Sequence, residues 1–138
     1  MNMELKDKIE KDLKKRNLTP KSVFDVIKYS INGLISYAKD GKSIILYLIC
    51  SLIEIILGFV YHINGLEWIL IICILGFILS VELINTAIEA ACDAITKEYN
   101  PLIKIAKDCG SGATFVLFIV AIILNVIIFA PKIYALFI

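Results

Sequence analysis

The pattern of apolar and polar positions changes four times along the chain. Over residues 3–16 charge dominates, and only Leu5, Ile9 and Leu13 make a thin apolar row. That pattern suits either a loose surface helix or a tail. Thr19-Pro20 interrupts it, and Pro20 suits the start of a new helix. Over 21–39, Val23, Phe24, Ile27, Ile31, Leu34, Ile35 and Ala38 recur at helical spacing, with Asp25, Lys28, Asn32, Ser36 and Lys39 on the other side. This predicts an amphipathic helix. Little polar mass is left for it to pack against, so it is expected to lie in the interface of a membrane. Three apolar stretches follow, giving expected spans at 43–61, 66–93 and 101–131, the last with a polar lead-in. A span needs about 20 residues. Tyr61, Trp68 and Tyr134 fall near the ends of these stretches, where amphipathic rings favour the headgroup level.

Composition sharpens this. In 138 residues, 59% hydrophobic content and a mean hydropathy of +0.86 are more than a single domain can bury in water. An ordinary soluble enzyme, a disordered tail and a small secreted scaffold are excluded. What remains is an all-α integral membrane protein that assembles with copies of itself. The net charge of +1 argues against a nucleic-acid surface, but ten of the fourteen basic residues lie in 1–42. Lys97, Lys104 and Lys107 fall in 92–112, none in 62–67, and Lys132 alone near the C-terminus. The positive-inside rule therefore puts the N-terminus and 92–112 in the cytoplasm and the C-terminus outside. No apolar signal region is seen in the first 42 residues, so no signal peptide is expected. Cys50, Cys73, Cys92 and Cys109 form no ligand pattern and read as small buried hydrophobes.

The second span ends on an unusual stripe. Glu82, Asn85, Glu89 and Asp93 are spaced by three, four and four residues, within an arc of about 80° on one helix face. Like charges at this spacing repel, and a carboxylate near the bilayer is costly. A divalent cation, protonation of one member or bases from another helix would each compensate. A solvated helix end accounts for Asp93 and Glu89 but poorly for Glu82, which lies deeper. After the stripe, Glu98-Tyr99-Asn100-Pro101 reads as a turn, with Asn100 as N-cap and Pro101 opening a helix. Lys107, in the lead-in to the third span, is placed to face either the stripe or a phosphate. Gly110-Ser111-Gly112-Ala113 reads as close helix packing. Glu54, mid-span, has no charged neighbour at helical spacing and receives no catalytic role, and His62 reads as a solvated turn residue.

At Glu82-Leu83-Ile84-Asn85-Thr86-Ala87-Ile88-Glu89 with Asp93, and at Ala106-Lys107-Asp108, the sequence resembles the bacterial diacylglycerol kinase family, which includes undecaprenol kinases. Lys28-Tyr29-Ser30-Ile31-Asn32-Gly33-Leu34 is similar to the family's surface-helix segment. The resemblance covers roughly 22–131, so that 22–138 is expected to be the kinase domain and 1–21 a charged extension. It implies a homotrimer in the bacterial inner membrane, with ATP and Mg²⁺ at the cytoplasmic face and a lipid hydroxyl as acceptor. Undecaprenol is the expected acceptor, from Trp68 and the Ile-Phe-Ala-Pro-Lys end at 128–132, with diacylglycerol second. By position, the resemblance makes Glu82 the general base, has Asn85 orient the catalytic centre, and gives Glu89 to the metal. It places Tyr29, Glu89, Asp93, Glu98, Tyr99, Asn100, Lys107 and Asp108 around the nucleotide.

The sequence departs from the family at one place. Where a glutamate helps hold the metal, the register puts Gly41, and Asp40 beside it is the substitute. The departure motivates an alternative, a catalytically impaired membrane protein that binds nucleotide or divalent cation. A small ion-conducting oligomer is the remaining alternative, motivated by Glu54 and the stripe.

Overall fold

The first described helix begins where a serine can cap it. Ser22 Oγ accepts from the Asp25 backbone N–H at 3.3 Å, and α1 runs Val23–Lys39. The structure, a computed structural model, describes residues 22–39 and 42–136. The 1–21 extension, Pro20, Asp40 and Gly41 lie outside the described residues. The chain divides into two units between Ser36 and Tyr37. The apolar face of α1, including Phe24, Ile27, Ile31 and Leu34, is exposed, as a helix laid on a bilayer requires.

The second unit contains three helices long and apolar enough to cross a membrane: α2 (Lys42–Val60), α3 (Gly65–Ile95) and α4 (Pro101–Tyr134). No strand occurs among the described residues. The chain is thus an all-α membrane protein, an amphipathic helix followed by three spans. The observed α4 runs through Pro131 to Tyr134, three residues past the expected end of the third span.

The helices reverse through specific local chemistry. At the end of α2, His62 adopts φ 49°, its N–H bonds the Phe59 carbonyl at 3.3 Å, and the Ile63 N–H reaches back to the Gly58 carbonyl at 3.1 Å. This is a Schellman closure with histidine in the left-handed position. Asn64 then opens α3 with a capping box. Its Oδ1 accepts from Leu66 and Glu67 N–H groups at 3.0 Å, and Glu67 Oε2 accepts from the Asn64 N–H at 2.7 Å. Glu67 also pairs with Lys132 at 3.0 Å, tying the start of α3 to the end of α4. Asn100 caps α4, accepting from Leu102 at 2.9 Å and Ile103 at 3.4 Å, with Pro101 as its first residue.

Helices α3 and α4 form the main packed pair. Ile63, Ile71, Ile128 and Phe129 make one buried cluster, and Ile74, Ile78 and Ala121 another. Helix α2 joins them through a few polar and close contacts. Tyr47 O–H donates to the Leu75 carbonyl at 3.4 Å, and Asn125 Nδ2 donates to Glu54 Oε1 at 2.9 Å. Glu54 therefore finds its partner 71 residues away, across the bundle. Gly58 lets the Trp68 indole cross α2, since a Cβ there would lie 2.6 Å from the ring. The cysteines need a correction: Cys92 is buried, but Cys50, Cys73 and Cys109 are exposed on the chain. Their segments are apolar because they face outward into lipid or another copy, where burial within one chain is not required.

Candidate active site

The lengths of the helices place the acidic stripe. α2 and α3 share a short turn, but α3 has 31 residues against 19 in α2. At 1.5 Å per residue α3 therefore runs about 18 Å further, and α4 runs beside it. Counted from the turn, Glu82 is level with Ser43, about 25 Å along the helix. This is close to the hydrocarbon thickness of about 30 Å. Glu82 sits level with the first residues of α2, and Glu89 lies about 10 Å beyond it.

Glu82, Asn85 and Glu89 line one open cleft of about 370 Å³. Ser43 of α2 and Ser111, Thr114, Phe115 and Phe118 of α4 form its other walls. Asn85 Nδ2 donates to Glu89 Oε1 at 3.2 Å, while Asn85 Oδ1 is buried without a partner. Gly110 makes this possible, because a Cβ there would overlap Asn85 Oδ1. The glycine-rich run thus packs closely at Gly110, whereas Gly112 has open space around it.

Beyond the cleft the charges pair between α3 and α4. Lys107 Nζ meets Asp93 Oδ1 at 2.5 Å, so the stripe's last carboxylate is balanced by a base from the next helix. Lys104 pairs with Asp108 at 2.7 Å along α4. Glu98, Tyr99 and Asn100 lie in the α3–α4 connection, where the Glu98 N–H donates to Thr96 Oγ1 at 3.0 Å and Tyr99 is exposed. The structure thus brings Glu82, Asn85 and Glu89 into one cleft and joins Asp93 to Lys107. Tyr29 belongs to α1, in the other unit.

The residues missed from the sequence are Ser43, Ser111, Thr114, Phe115 and Phe118. A signal was present for three of them. Lys107, Ser111, Thr114 and Phe118 recur at four, three and four residues, a single face of α4 opposing the acidic face of α3.

Among the described residues no three acidic, histidine or cysteine side chains gather as a metal cage. A magnesium ion does not need one, because it takes one or two carboxylates and completes its shell with phosphate oxygens and water. Glu89, at the outer part of the cleft, fits that donor set.

A helical membrane protein with a carboxylate cleft level with the first residues of one span is built to act on groups held near the membrane surface. Residues 28–129 match the family described as prokaryotic diacylglycerol kinase. The chain is 34% identical over 100 residues to the undecaprenol kinase of Bacillus subtilis, covering 72% of this chain and 81% of that one. It is 32% identical over 96 residues to the diacylglycerol kinase of Pseudomonas aeruginosa, 70% and 78% of the two chains. A Helicobacter pylori diacylglycerol kinase is 37% identical over 102 residues, 70% and 75% of the two chains. The chain belongs to the prokaryotic diacylglycerol kinase family and is a membrane lipid kinase.

Proposed function

We propose that the protein transfers the γ-phosphoryl group of ATP to the hydroxyl of a membrane lipid alcohol, undecaprenol ahead of diacylglycerol. The observation that carries this is Glu82, held in a cleft at the start of α2, where a lipid hydroxyl reaches the headgroup plane. Undecaprenol is supported by Trp68 and the 128–132 end and by the extent of the match to the Bacillus subtilis enzyme, 81% of that protein.

Glu82 takes the proton of the lipid hydroxyl, and the lipid oxygen bonds to the γ-phosphorus as the bond to the β–γ bridging oxygen breaks and ADP leaves. Phosphoryl transfer depends on positioning and charge neutralisation. Asn85 holds Glu89 in place by its 3.2 Å hydrogen bond. Glu89, with Asp40 from the α1–α2 link, would hold Mg²⁺, which neutralises phosphate charge when bound. Lys107, Asp93 and Asp108 border the nucleotide, as do Glu98, Tyr99 and the amide of Asn100, whose oxygen is already committed to the helix cap. The bases of the N-terminal region and of 92–112 favour the cytoplasmic side of a bacterial inner membrane for this end, with the C-terminus outside. The working unit is a homotrimer, whose contacts cover part of the exposed apolar surface.

The test is phosphate transfer from labelled ATP to each lipid by purified protein in mixed micelles, with and without a divalent-cation chelator. Product is expected with Mg²⁺ and lost on chelation. Glu82→Gln is expected to lower turnover by at least about 100-fold, the scale of a removed general base, without altering the oligomer. A folded protein that binds nucleotide yet labels neither lipid establishes the impaired-enzyme reading, which the glycine at position 41 favours.

A further inference from the structure

Thr114 is 6% exposed, and its hydroxyl has no hydrogen-bond partner. Most other helical hydroxyls behave differently, although Ser43 and Ser111, which line the same cleft, also make no such local bond. Ser30, Ser36, Ser51, Ser80 and Thr86 each donate to the carbonyl four residues earlier, at 2.7–3.0 Å. That local bond is the usual resting place for a serine or threonine within a helix. Thr114 forgoes it. Thr114 lines the cleft next to Glu82, and its buried hydroxyl lies near that carboxylate without a well-formed hydrogen bond to it. A second orphan, Asn85 Oδ1, is buried against Gly110 nearby, and Phe115 and Phe118 supply apolar wall to the cleft. Buried polar atoms without partners are costly, and a ligand that completes them recovers that cost.

We propose that Thr114 is a specificity-determining residue that holds the acceptor hydroxyl of the lipid against Glu82. The chemistry that fits is one alcohol group at the head of an apolar chain. Its O–H donates to the Glu82 carboxylate, and its oxygen accepts from the Thr114 O–H. Phe115 and Phe118 flank the carbons next to it. When the proton passes to Glu82, the threonine O–H stays on the oxygen that is gaining charge, so the contact strengthens as the new bond to phosphorus forms. The inference rests on the reading of Glu82 as the base.

The experiment compares Thr114→Val, which removes the hydroxyl at nearly constant volume, with Thr114→Ser, which keeps it. Steady-state kinetics use the full-length protein with undecaprenol and a long-chain diacylglycerol in mixed micelles, and thermal unfolding is followed alongside. Thr114→Val is expected to lower kcat/KM for the phosphorylated lipid about tenfold or more, the loss of one hydrogen bond to a developing charge. Its KM for ATP is expected to stay within about twofold, and Thr114→Ser to recover most of the activity. Removing an unpaired buried hydroxyl is expected to leave the melting temperature unchanged or higher, so lost activity is not lost folding. An unchanged kcat/KM for lipid in Thr114→Val, a rise in KM for ATP instead, or failure of the serine variant to recover activity overturns the proposal. Should valine unfold the protein, the serine variant decides alone, because loss of lipid activity in a folded Thr114→Ser overturns it and retention supports it. A wild-type protein inactive on both lipids overturns the proposed function and this inference together. An active wild type with an unaffected valine variant overturns this inference alone.

Discussion

Gly110 has no room for a side chain, and the reason lies on the neighbouring helix. A methyl group there meets the Asn85 carboxamide, whose amide nitrogen holds Glu89. Gly110→Ala gains about 1 kcal/mol of helix propensity and loses about as much by displacing Asn85. Its melting temperature is therefore expected to change little while kinase turnover falls about tenfold or more, the scale on which small misplacements of catalytic groups act. Thermal unfolding and initial rates on the same preparation check both halves, and full activity would show that Asn85 moves freely. At this scale the acidic stripe was legible, because Glu82, Asn85, Glu89 and Asp93 share one helix and their spacing sets their common face. The fit of Gly110 to Asn85 and the partners of Glu54 and Glu67 were not. Each depends on the register between helices that are 25 to 71 residues apart in sequence, and local spacing carries no record of that register.

The helices themselves were largely readable, since long apolar runs and cap residues both act locally. Asn100 followed by Pro101 opens α4 as the cap chemistry requires. The end of α4 was less legible. The expected span stops at 131, yet the helix continues to Tyr134, with Ile128 and Phe129 packed in the core just before Pro131 and Lys132 held by Glu67 just after it. The turn after α2 carries its own cost. His62 occupies the left-handed region at φ 49°, a conformation that costs an L-residue about 1–2 kcal/mol and glycine almost nothing. His62→Gly is therefore expected to stabilise the protein by about 1 kcal/mol, seen as a higher melting temperature. The turn lies at the opposite end of α2 from the cleft, so kcat is expected to be unchanged. A lower melting temperature would mean that the imidazole makes a contact worth more than the backbone strain.

Across the whole chain, most large apolar side chains of α2, and many of α3 and α4, are exposed, which places them against lipid or further copies. The membrane class was legible from composition alone, because no fold of this length hides so much apolar surface in water. The site's depth was legible only in part: the sequence set Glu82 deeper than Glu89, but its level with Ser43 required the shared turn and the unequal lengths of α2 and α3. Those lengths have a consequence for the enzyme's surroundings. The turn after α2 closes two span-length helices, and Glu82 stands about 25 Å from it along α3, so bilayer thickness sets how far Glu82 lies from the headgroup plane. Activity in nanodiscs of graded acyl-chain length is expected to peak where the hydrocarbon core is near this distance. It should fall several-fold when the core is about 5 Å thinner or thicker, at mismatch costs of fractions of a kcal/mol per Å. A flat profile would mean that the acceptor reaches Glu82 independently of the headgroup plane. The rigid helices act as a ruler set against a soft one, and catalysis becomes a readout of membrane thickness.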